Sequence, residues 1–341
     1  MTTLVEVARH AGVTAATVSN VLRGRGKVGE QTRQRVLAAV QALGYQPNLM
    51  ARALVEGKPA TLALIVSSIA NPFYPEFALA VEQAARQAGY FLLVCNTNDD
   101  PVQERAYLDA VGGALAQGVI VMHGDFVVPQ ALAALRQRGV PVVLCMWEQP
   151  DQPPALPCVA VDFRQAGVLA AEHLLALGHR RIGVVMASEP SGNHRWRCAG
   201  FVDTLARAGV ALPPAQLRHG HDSIDDGRNA AHSLLAATPG LTALFATNDL
   251  PAIGALQAAA ELGLEVPRDL SVIGITDIQL SRQMRPALST VAVPTAEAAR
   301  LAVEMLLAEI SARPDGAPPM AVTAPPRLVV RASTGRPVSP A

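Results

Sequence analysis

Apolar and polar positions follow two patterns along the chain. From Thr61 onward, continuous apolar runs such as TLALIV, YFLLVC and LSVIGI are separated by stretches with helical spacing, for example residues 76–88 and 164–177. Apolar strands that alternate with helices are typical of parallel sheets covered on both faces. About ten such strands fit two sheets better than one. The sequence therefore predicts an α/β core of two doubly wound lobes, with ligands at the carboxyl ends of the strands, in the cleft between the lobes.

The first 46 residues show helical spacing instead, which predicts three short helices over residues 4–10, 15–22 and 30–43. Thr3 and Glu6 form a capping box before the first helix, and Thr14 is the expected N-cap of the second. The side chains expected to face inward are Val5, Ala8, Val18, Val21, Leu22, Val36, Leu37, Val40 and Leu43. Ala15, Ala16, Ser19 and Asn20 are expected to face outward. This order of helices predicts an all-α helix-turn-helix head.

Composition narrows the class of protein. Half of the residues are apolar and 16% are charged, which excludes a disordered chain. No apolar run approaches the ~18 residues that cross a bilayer, and the N-terminus lacks the basic and apolar segments of a signal peptide. We therefore expect a cytoplasmic protein with no membrane partner. The four cysteines form no CxxC pair, so we expect buried thiols rather than disulfides or a zinc site.

Charge is distributed unevenly, although the chain as a whole is neutral. Residues 1–58 carry eight Lys or Arg against three Glu, a net charge of +5, which leaves −5 for the remainder. A basic segment on an acidic body is typical of a polyanion-binding head, but a solvated basic helix face gives the same sign. The charge pattern is thus compatible with nucleic-acid binding without establishing it.

The segments VEVARHAGVTAATVSNVLRG and GEQTRQRVLAAVQALGYQPNLMARAL resemble the N-terminal head of the lactose/galactose repressor family of bacterial transcription regulators. The resemblance implies that the second helix enters the major groove, where Asn20 bonds an adenine while Ala15 and Ala16 offer methyl contacts. The implied DNA-binding residues, some of them phosphate contacts, are Thr14, Ala15, Ala16, Thr17, Ser19, Asn20 and Arg23. Many relatives carry Arg or His in place of Asn20, which leaves the operator preference open. Asn20 as a plain exposed helix residue is the alternative.

Residues 47–58 resemble the hinge helix of the same family. There, the segment folds on operator DNA, pairs with its dimer mate in the minor groove and inserts a leucine between base steps, a position that Leu54 matches. Asn48 and Arg52 complete the DNA-binding residues that the resemblance implies. The alternative is a plain linker whose Leu54 packs on the core.

The core resembles the periplasmic-binding-protein-like part of the family in blocks such as NPFYPEF, RWRCAGF and FATNDLPAIGAL. The resemblance places effector contacts on Asn71, Phe73, Met146, Arg195, Arg197, Asp222, Asn248 and Thr276. Arg197 can hold hydroxyls or a carboxylate through its fixed fork of donors, or it can form a surface ion pair. Asp162 and Asn248 are also expected as helix caps.

Two departures from the family pattern bear on the effector. Sugar-binding relatives commonly carry an aspartate where this chain has Met146 and Thr276. Fewer carboxylates, with Arg197 and Arg195 retained, predict a cleft suited to an anion, so we hypothesise a sugar acid such as gluconate, or another small carboxylate. Water or Glu148 could supply the missing acceptor, in which case a neutral sugar is the effector.

Other motifs point away from catalysis. His219 and His221 lack a third ligand, and the sequence contains no nucleotide-binding loop, GxSxG or HExxH. We expect no metal, no cofactor and no enzymatic activity. An enzyme would need an acid–base or nucleophilic set that the cleft residues do not offer, and a solute-binding protein would need an export signal and no DNA-binding head.

The resemblance implies a homodimeric repressor that binds a pseudo-palindromic operator in double-stranded DNA and is released by a small-molecule effector. A corepressor-dependent repressor is the alternative, because the sequence does not show which lobe arrangement the effector prefers. The expected domains are a helix-turn-helix domain at 1–46, a hinge at 47–58 and an effector-binding and dimerisation core at 59–341. Lobe 1 is expected to take 59–160 and 291–322, and lobe 2 to take 161–290 and 323–341. Residues 313–320 are expected as a surface loop before a last strand at 326–332, with no leucine-heptad tail for further assembly.

Overall fold

The computed structural model describes residues 2–22, 26–45, 60–122, 129–188, 194–311 and 317–338. The chain divides into two compact units, Met1–Ala60 and Thr61–Ala341. The segment predicted as a hinge, residues 47–58, lies outside the described part of the chain.

Within residues 2–22 and 26–45, the first unit has three helices, α1 Leu4–Ala11, α2 Ala15–Leu22 and α3 Glu30–Ala42. The capping box is present, since Thr3 accepts from the Glu6 amide while the Glu6 carboxylate accepts from the Thr3 amide at 2.7 Å. Helix α1 ends at Gly12, whose φ of +65° suits glycine. Thr14 Oγ1 accepts from the Thr17 amide at 3.2 Å, as expected of an N-cap.

The core of this unit confirms most, but not all, of the predicted inner side chains. Its fully buried members are Val7, Ala8, Ala11, Val18, Val21, Val36 and Ala39. The prediction was wrong for Val5 and Leu37, which are 58% and 48% exposed. Val5 lies two positions from the buried Val7, and positions i and i+2 of a helix cannot share a face.

In the described residues of the second unit, twelve strands form two six-stranded sheets. In chain order they are β1 Thr61–Val66, β2 Phe91–Asn96, β3 Val119–Met122, β4 Val142–Trp147, β5 Cys158–Ala160, β6 Ile182–Met186, β7 Leu217–His219, β8 Ala243–Ala246, β9 Ser271–Thr276, β10 Ser289–Ala292, β11 Met320–Val322 and β12 Arg327–Val329. The lobe 1 sheet has the order β11-β5-β4-β3-β1-β2, and the lobe 2 sheet has the order β12-β10-β9-β8-β6-β7. All neighbours are parallel except β10 and β12, which confirms the predicted doubly wound α/β core.

Helices cover both sheets. They are α4 Phe73–Gln87, α5 Pro101–Ala110, α6 Pro129–Gln137, α7 Phe163–Leu177, α8 Arg195–Arg207, α9 Ile224–Ala237, α10 Asp249–Glu261, α11 Gln279–Gln283 and α12 Thr295–Ser311. A π-helical turn, Val111–Leu115, extends α5. Helix α12 packs on α4 and the lobe 1 sheet although it follows a lobe 2 strand, so the chain crosses between lobes after β5, after β10 and again between β11 and β12.

The C-terminal region differs from the prediction. Edge strand β11 of lobe 1, Met320–Val322, was not predicted and begins at the last residue of the expected loop at 313–320, and the last strand is limited to Arg327–Val329. Strands of three residues are too short to show a recognisable alternation of apolar and polar positions.

All four cysteines are buried and carry free thiols, as expected. Among the helices of the described ranges, none has the length and apolar character needed to cross a membrane.

Candidate functional site

Helix α2 presents the polar side chains predicted to contact DNA on the side away from its core residues Val18 and Val21. Thr14, Ala16 and Asn20 are exposed, and Thr17 and Ser19 are half-buried. Ala15 packs partly against the core, so it is less outward-facing than predicted. Arg23, Asn48, Arg52 and Leu54 lie outside the described residues.

Strand ends of both lobes bring several predicted effector contacts together around Asp222. The Oδ2 atom of Asp222, after β7, accepts from Asn71 Nδ2 at 2.7 Å and from Asn248 Nδ2 at 2.6 Å. Asn71 follows β1 in lobe 1 and Asn248 follows β8 in lobe 2, so this carboxylate joins the two lobes. Asp222 Oδ1 is buried and has no hydrogen-bond partner among the residues that the structure describes. Burial raises the pKa of Asp222 to about 6, despite the lowering effects of Asn248, Arg197 and Asn71.

The two asparagines also have structural roles, which fix their amide groups. Asn248 Oδ1 accepts from the Asp249 amide at 3.1 Å, at the start of α10, and from Thr276 Oγ1 at 3.0 Å. Asn71 Oδ1 accepts from the Phe73 amide at 3.0 Å. With each oxygen engaged locally, each Nδ2 is directed at Asp222. The expected cap role of Asn248 is therefore combined with a place in the cleft.

Arg197 forms a second link between the lobes. Its side chain is buried, with Nη2 3.0 Å from Glu148 Oε1 and Nη1 donating to the Thr247 carbonyl at 3.1 Å. The guanidinium lies 3.9 Å from the Phe163 ring centroid, and its Nε has no hydrogen-bond partner in the described ranges. Arg197 therefore does not form the surface ion pair that was its alternative. Glu148 directly follows β4 of lobe 1.

Two glycines explain how Arg197 reaches this position. Helices α7 and α8 cross where Gly167 meets the Arg197 carbonyl and Gly200 meets the Arg164 carbonyl, so closely that a Cβ at either glycine would overlap backbone. This close packing places Arg197, on α8, over Phe163 at the start of α7.

The two positions that depart from the family pattern have unusual backbone conformations. Met146 is buried at a register shift in β4 with φ +59°, and Thr276 ends β9 with φ +123°. Positive φ is uncommon for non-glycine residues and occurs often at functional sites. Asp277, also at positive φ, pairs with Arg331 at 2.5 Å. The carboxylates of the cleft thus come from Glu148 and Asp222 instead of positions 146 and 276.

Phe73 is buried and makes an edge contact with Tyr74. A buried histidine that was not among the predicted contacts, His194, lies with Nδ1 3.0 Å from Thr247 Oγ1. Burial and the charge of Arg197 hold the pKa of His194 well below its usual range, so the imidazole is neutral. The only feature of the sequence that could have pointed to His194 is its position directly before the RWR motif.

A pocket of about 240 Å³ opens beside these residues, between the two lobes. It is lined by Glu148, Gln149, Pro150, Asp151, Gln152, Asp162, Arg164, Gln165 and Trp196. With its amide oxygen turned inward, Gln149 accepts from Arg195 Nη2 at 2.9 Å and from Trp196 Nε1 at 3.1 Å. Arg195, a predicted effector contact, is exposed and lies 5.4 Å from the Trp196 ring centroid.

Known proteins match both units. The family described as bacterial regulatory proteins, lacI family, matches residues 3–48, and the periplasmic binding protein-like domain matches residues 171–334. The chain is 33% identical to the HTH-type transcriptional regulator DegA of Bacillus subtilis (strain 168) over 98% of each chain. It is 33% identical to the HTH-type transcriptional repressor PurR of Pectobacterium carotovorum subsp. carotovorum (strain PC1) over 93% of each. The crystal structure of the Lac repressor dimer bound to operator and the anti-inducer ONPF is similar with a TM-score of 0.84, at 26% identity over 98% of this chain and 99% of that one.

Proposed function

The chain belongs to the lacI family of bacterial regulatory proteins, and from this we propose that it is a transcriptional repressor released from a pseudo-palindromic operator by a small-molecule effector bound between its lobes. The observation that carries the proposal is the set of buried polar bonds from lobe 1 to lobe 2, in a chain that also contains a helix-turn-helix unit. A ligand that replaces those bonds has different affinities for different lobe arrangements, which is what a switch requires. The proposed role is regulatory rather than enzymatic, and it places the protein with DNA in the cytoplasm.

For operator binding, we propose that α2 lies in the major groove. Asn20 is exposed there and its amide can bond both N6 and N7 of adenine, while Ala16 offers a methyl contact. Thr14, Thr17 and Ser19 surround these positions as phosphate contacts. Ala15, Arg23, Asn48, Arg52 and Leu54 remain in the proposed DNA-binding set on the resemblance to the family.

For effector binding, we propose a carbohydrate, held by side chains at the strand ends of both lobes. The proposed contacts are Asn71, Phe73, Met146, Arg195, Arg197, Asp222, Asn248 and Thr276. Within the described part of the chain, two of their buried polar atoms have no hydrogen-bond partner, an acceptor in Asp222 Oδ1 and a donor in Arg197 Nε. A hydroxyl group can serve either atom, because it both donates and accepts.

The charges of the cleft bear on the choice between a sugar and a sugar acid. The sugar-acid hypothesis assumed a cleft poor in carboxylates, but Glu148 already pairs with Arg197, and Asp222 adds a second carboxylate. A bound anion would have to displace Glu148 from Arg197, or lie near the Asp222 carboxylate without a cation to offset the repulsion. These charges favour a neutral sugar over a sugar acid. The sugar acid stays a prediction, and titrations with glucose and with gluconate compare the two directly.

For the dimer, we propose that a second copy covers the edge of the lobe 1 sheet. Strand β2 is the last strand of that sheet, and its apolar Phe91, Leu93 and Val94 are exposed. Exposed apolar edge strands favour pairing with another chain. Two-fold symmetry would then give two helix-turn-helix units for the two halves of an operator.

The experiment that tests the function is selection of randomised duplex DNA by the full chain at a stated salt concentration. The expected result is a pseudo-palindromic sequence whose binding is weakened by an effector sugar. Recovery of the sequence only when a sugar is present would indicate the corepressor-dependent alternative. Failure to recover any sequence in either condition would overturn the proposed function.

A further inference from the structure

The pocket between the lobes adjoins the side chains that bond across the inner cleft and shares Glu148 with them. Its walls are residues 148–152, which follow β4 in lobe 1, the start of α7 and Trp196 on α8. Its volume of about 240 Å³ leaves room for one six-membered ring and its hydroxyl groups.

The charged side chains that line this pocket are already engaged. Glu148 is paired with Arg197, Arg164 with Asp203, and Asp162 caps α7 by accepting from the Gln165 amide at 2.8 Å. The exception is Asp151, an exposed residue at the rim of the pocket that has no ion pair or side-chain hydrogen bond among the described residues. A charged ligand would therefore find little compensating charge inside the pocket.

The remaining lining consists of groups that recognise neutral polyols. Gln152 and Gln165 contribute side-chain amides that can donate to or accept from a hydroxyl, while the Gln149 amide is already bonded to Arg195, Trp196 and Gln152. Trp196 contributes an indole ring, an apolar surface of fixed shape next to polar atoms. Apolar surface with a few convergent polar groups is the general composition of a small-molecule site.

The pocket is continuous with the inner cleft through shared residues. Glu148 lines the pocket and pairs with Arg197, and Trp196 directly precedes Arg197 on α8. We propose that this pocket is a second subsite that binds a neutral glycosyl unit, so that the effector is a disaccharide or glycoside and not a free monosaccharide. The inference rests on the proposed carbohydrate effector of the inner cleft and specifies its size.

The tryptophans provide a direct readout of this subsite. The chain has two, Trp147 and Trp196, so a Trp147→Phe background leaves Trp196 as the single emitter in the full-length protein. The probes are matched pairs, glucose with cellobiose and maltose, and galactose with lactose. At least one disaccharide should change Trp196 emission and raise the melting temperature at a concentration about tenfold or more below that of its monosaccharide.

Substitutions in the subsite should act on the disaccharide alone. Trp196→Ala is expected to weaken disaccharide binding roughly five- to tenfold, the range of an aromatic contact, and to leave the monosaccharide affinity unchanged. Trp196→Phe should recover most of the loss, because it keeps a ring. Gln165→Ala should weaken the disaccharide, and Gln257→Ala, at an exposed glutamine of α10, should have no effect.

The outcomes separate this inference from the proposed function. If monosaccharides bind as tightly as disaccharides and release operator DNA, and Trp196→Ala changes neither, the second subsite is wrong and the repressor function stands. If no probe of either length alters emission, melting temperature or operator binding, both the carbohydrate effector and the subsite are overturned.

Discussion

The helix-turn-helix unit and the cleft of the second unit hold their functional side chains in opposite ways. On α2, Asn20 and Thr14 are exposed, and the helix beneath them is stabilised by other residues. In the cleft, Asp222 and Arg197 are bonded to partners in the opposite lobe. The side chains of α2 are therefore available to a ligand without any change in the fold. Those of the cleft stabilise the contact between the lobes, and a ligand that binds them must break these bonds.

This difference predicts that substitutions in the cleft change both stability and ligand response, while substitutions on the exposed face of α2 change binding alone. It also fits a switch, since an effector can act on lobe arrangement only by replacing bonds that hold one arrangement.

The largest expected effect is that of Arg197→Ala. The substitution leaves Glu148 buried without its cation, so the free energy of unfolding should fall by about 3–5 kcal/mol. Urea unfolding followed by tryptophan fluorescence measures it, because both tryptophans lie in the second unit. Arg300→Ala, which removes an exposed pair with Glu304, is the matched control and should cost about 0.5 kcal/mol or less. Equal losses in the two variants would show that the inter-lobe pair does not stabilise the fold.

Asp222 should make the stability of the second unit depend on pH. Its pKa is about 6 in the folded protein and 3.8 as an ordinary carboxyl, so between these values the folded state holds a proton that the unfolded state has released. Stability should therefore fall as the pH rises from about 4 to about 6, by at most about 3 kcal/mol at 1.36 kcal/mol per pKa unit.

Asp222→Asn tests the assignment, since an amide oxygen can still accept from Asn71 and Asn248 but carries no titrating proton. Unfolding free energies of the two proteins, measured by urea from pH 4 to 7, should differ in slope over this window. Parallel curves would mean that Asp222 is not the group responsible.

On the first unit, Asn20→Ala should weaken binding to the selected operator by about 1–3 kcal/mol, roughly 5- to 150-fold, and relax the preference at one base pair. The unfolding free energy should stay within about 0.5 kcal/mol, because the side chain is exposed. Titration of labelled operator at fixed salt gives the affinity, and Gln41→Ala, an exposed amide on α3, is the control. A loss confined to stability would contradict the role of α2 in base recognition.

The same contrast explains what could be predicted from the sequence. The capping box of Thr3 and Glu6 and the cap at Thr14 involve residues three apart, so the local pattern was sufficient. The cleft residues Asn71 and Arg197 were identified by resemblance, but their bonds to Asp222 and Glu148 join residues 151 and 49 positions apart. Such pairings depend on how the lobes pack, which the spacing of residues does not encode.

Helix periodicity also has a limit, visible at Val5 and Leu37. Both are apolar residues that the structure leaves exposed, because each of these short helices buries only one narrow stripe of side chains against its neighbours. The register shift at Met146, two residues before Glu148, could not be predicted from the sequence either. Nothing in PVVLCMW indicates where a bulge occurs.

The smallest expected effect tests whether the first unit is as locally determined as this contrast requires. Thr3→Ala removes the acceptor for the Glu6 amide and should cost about 1 kcal/mol, seen as faster hydrogen exchange of α1 amides in the full-length protein. Glu6→Gln should retain most of the protection, because an amide oxygen can still accept from the Thr3 amide. Exchange in the second unit should be unchanged in both variants. If Thr3→Ala accelerated exchange in α10 as well, the two units would share stability, and the independence of the DNA-binding face from the cleft would no longer hold.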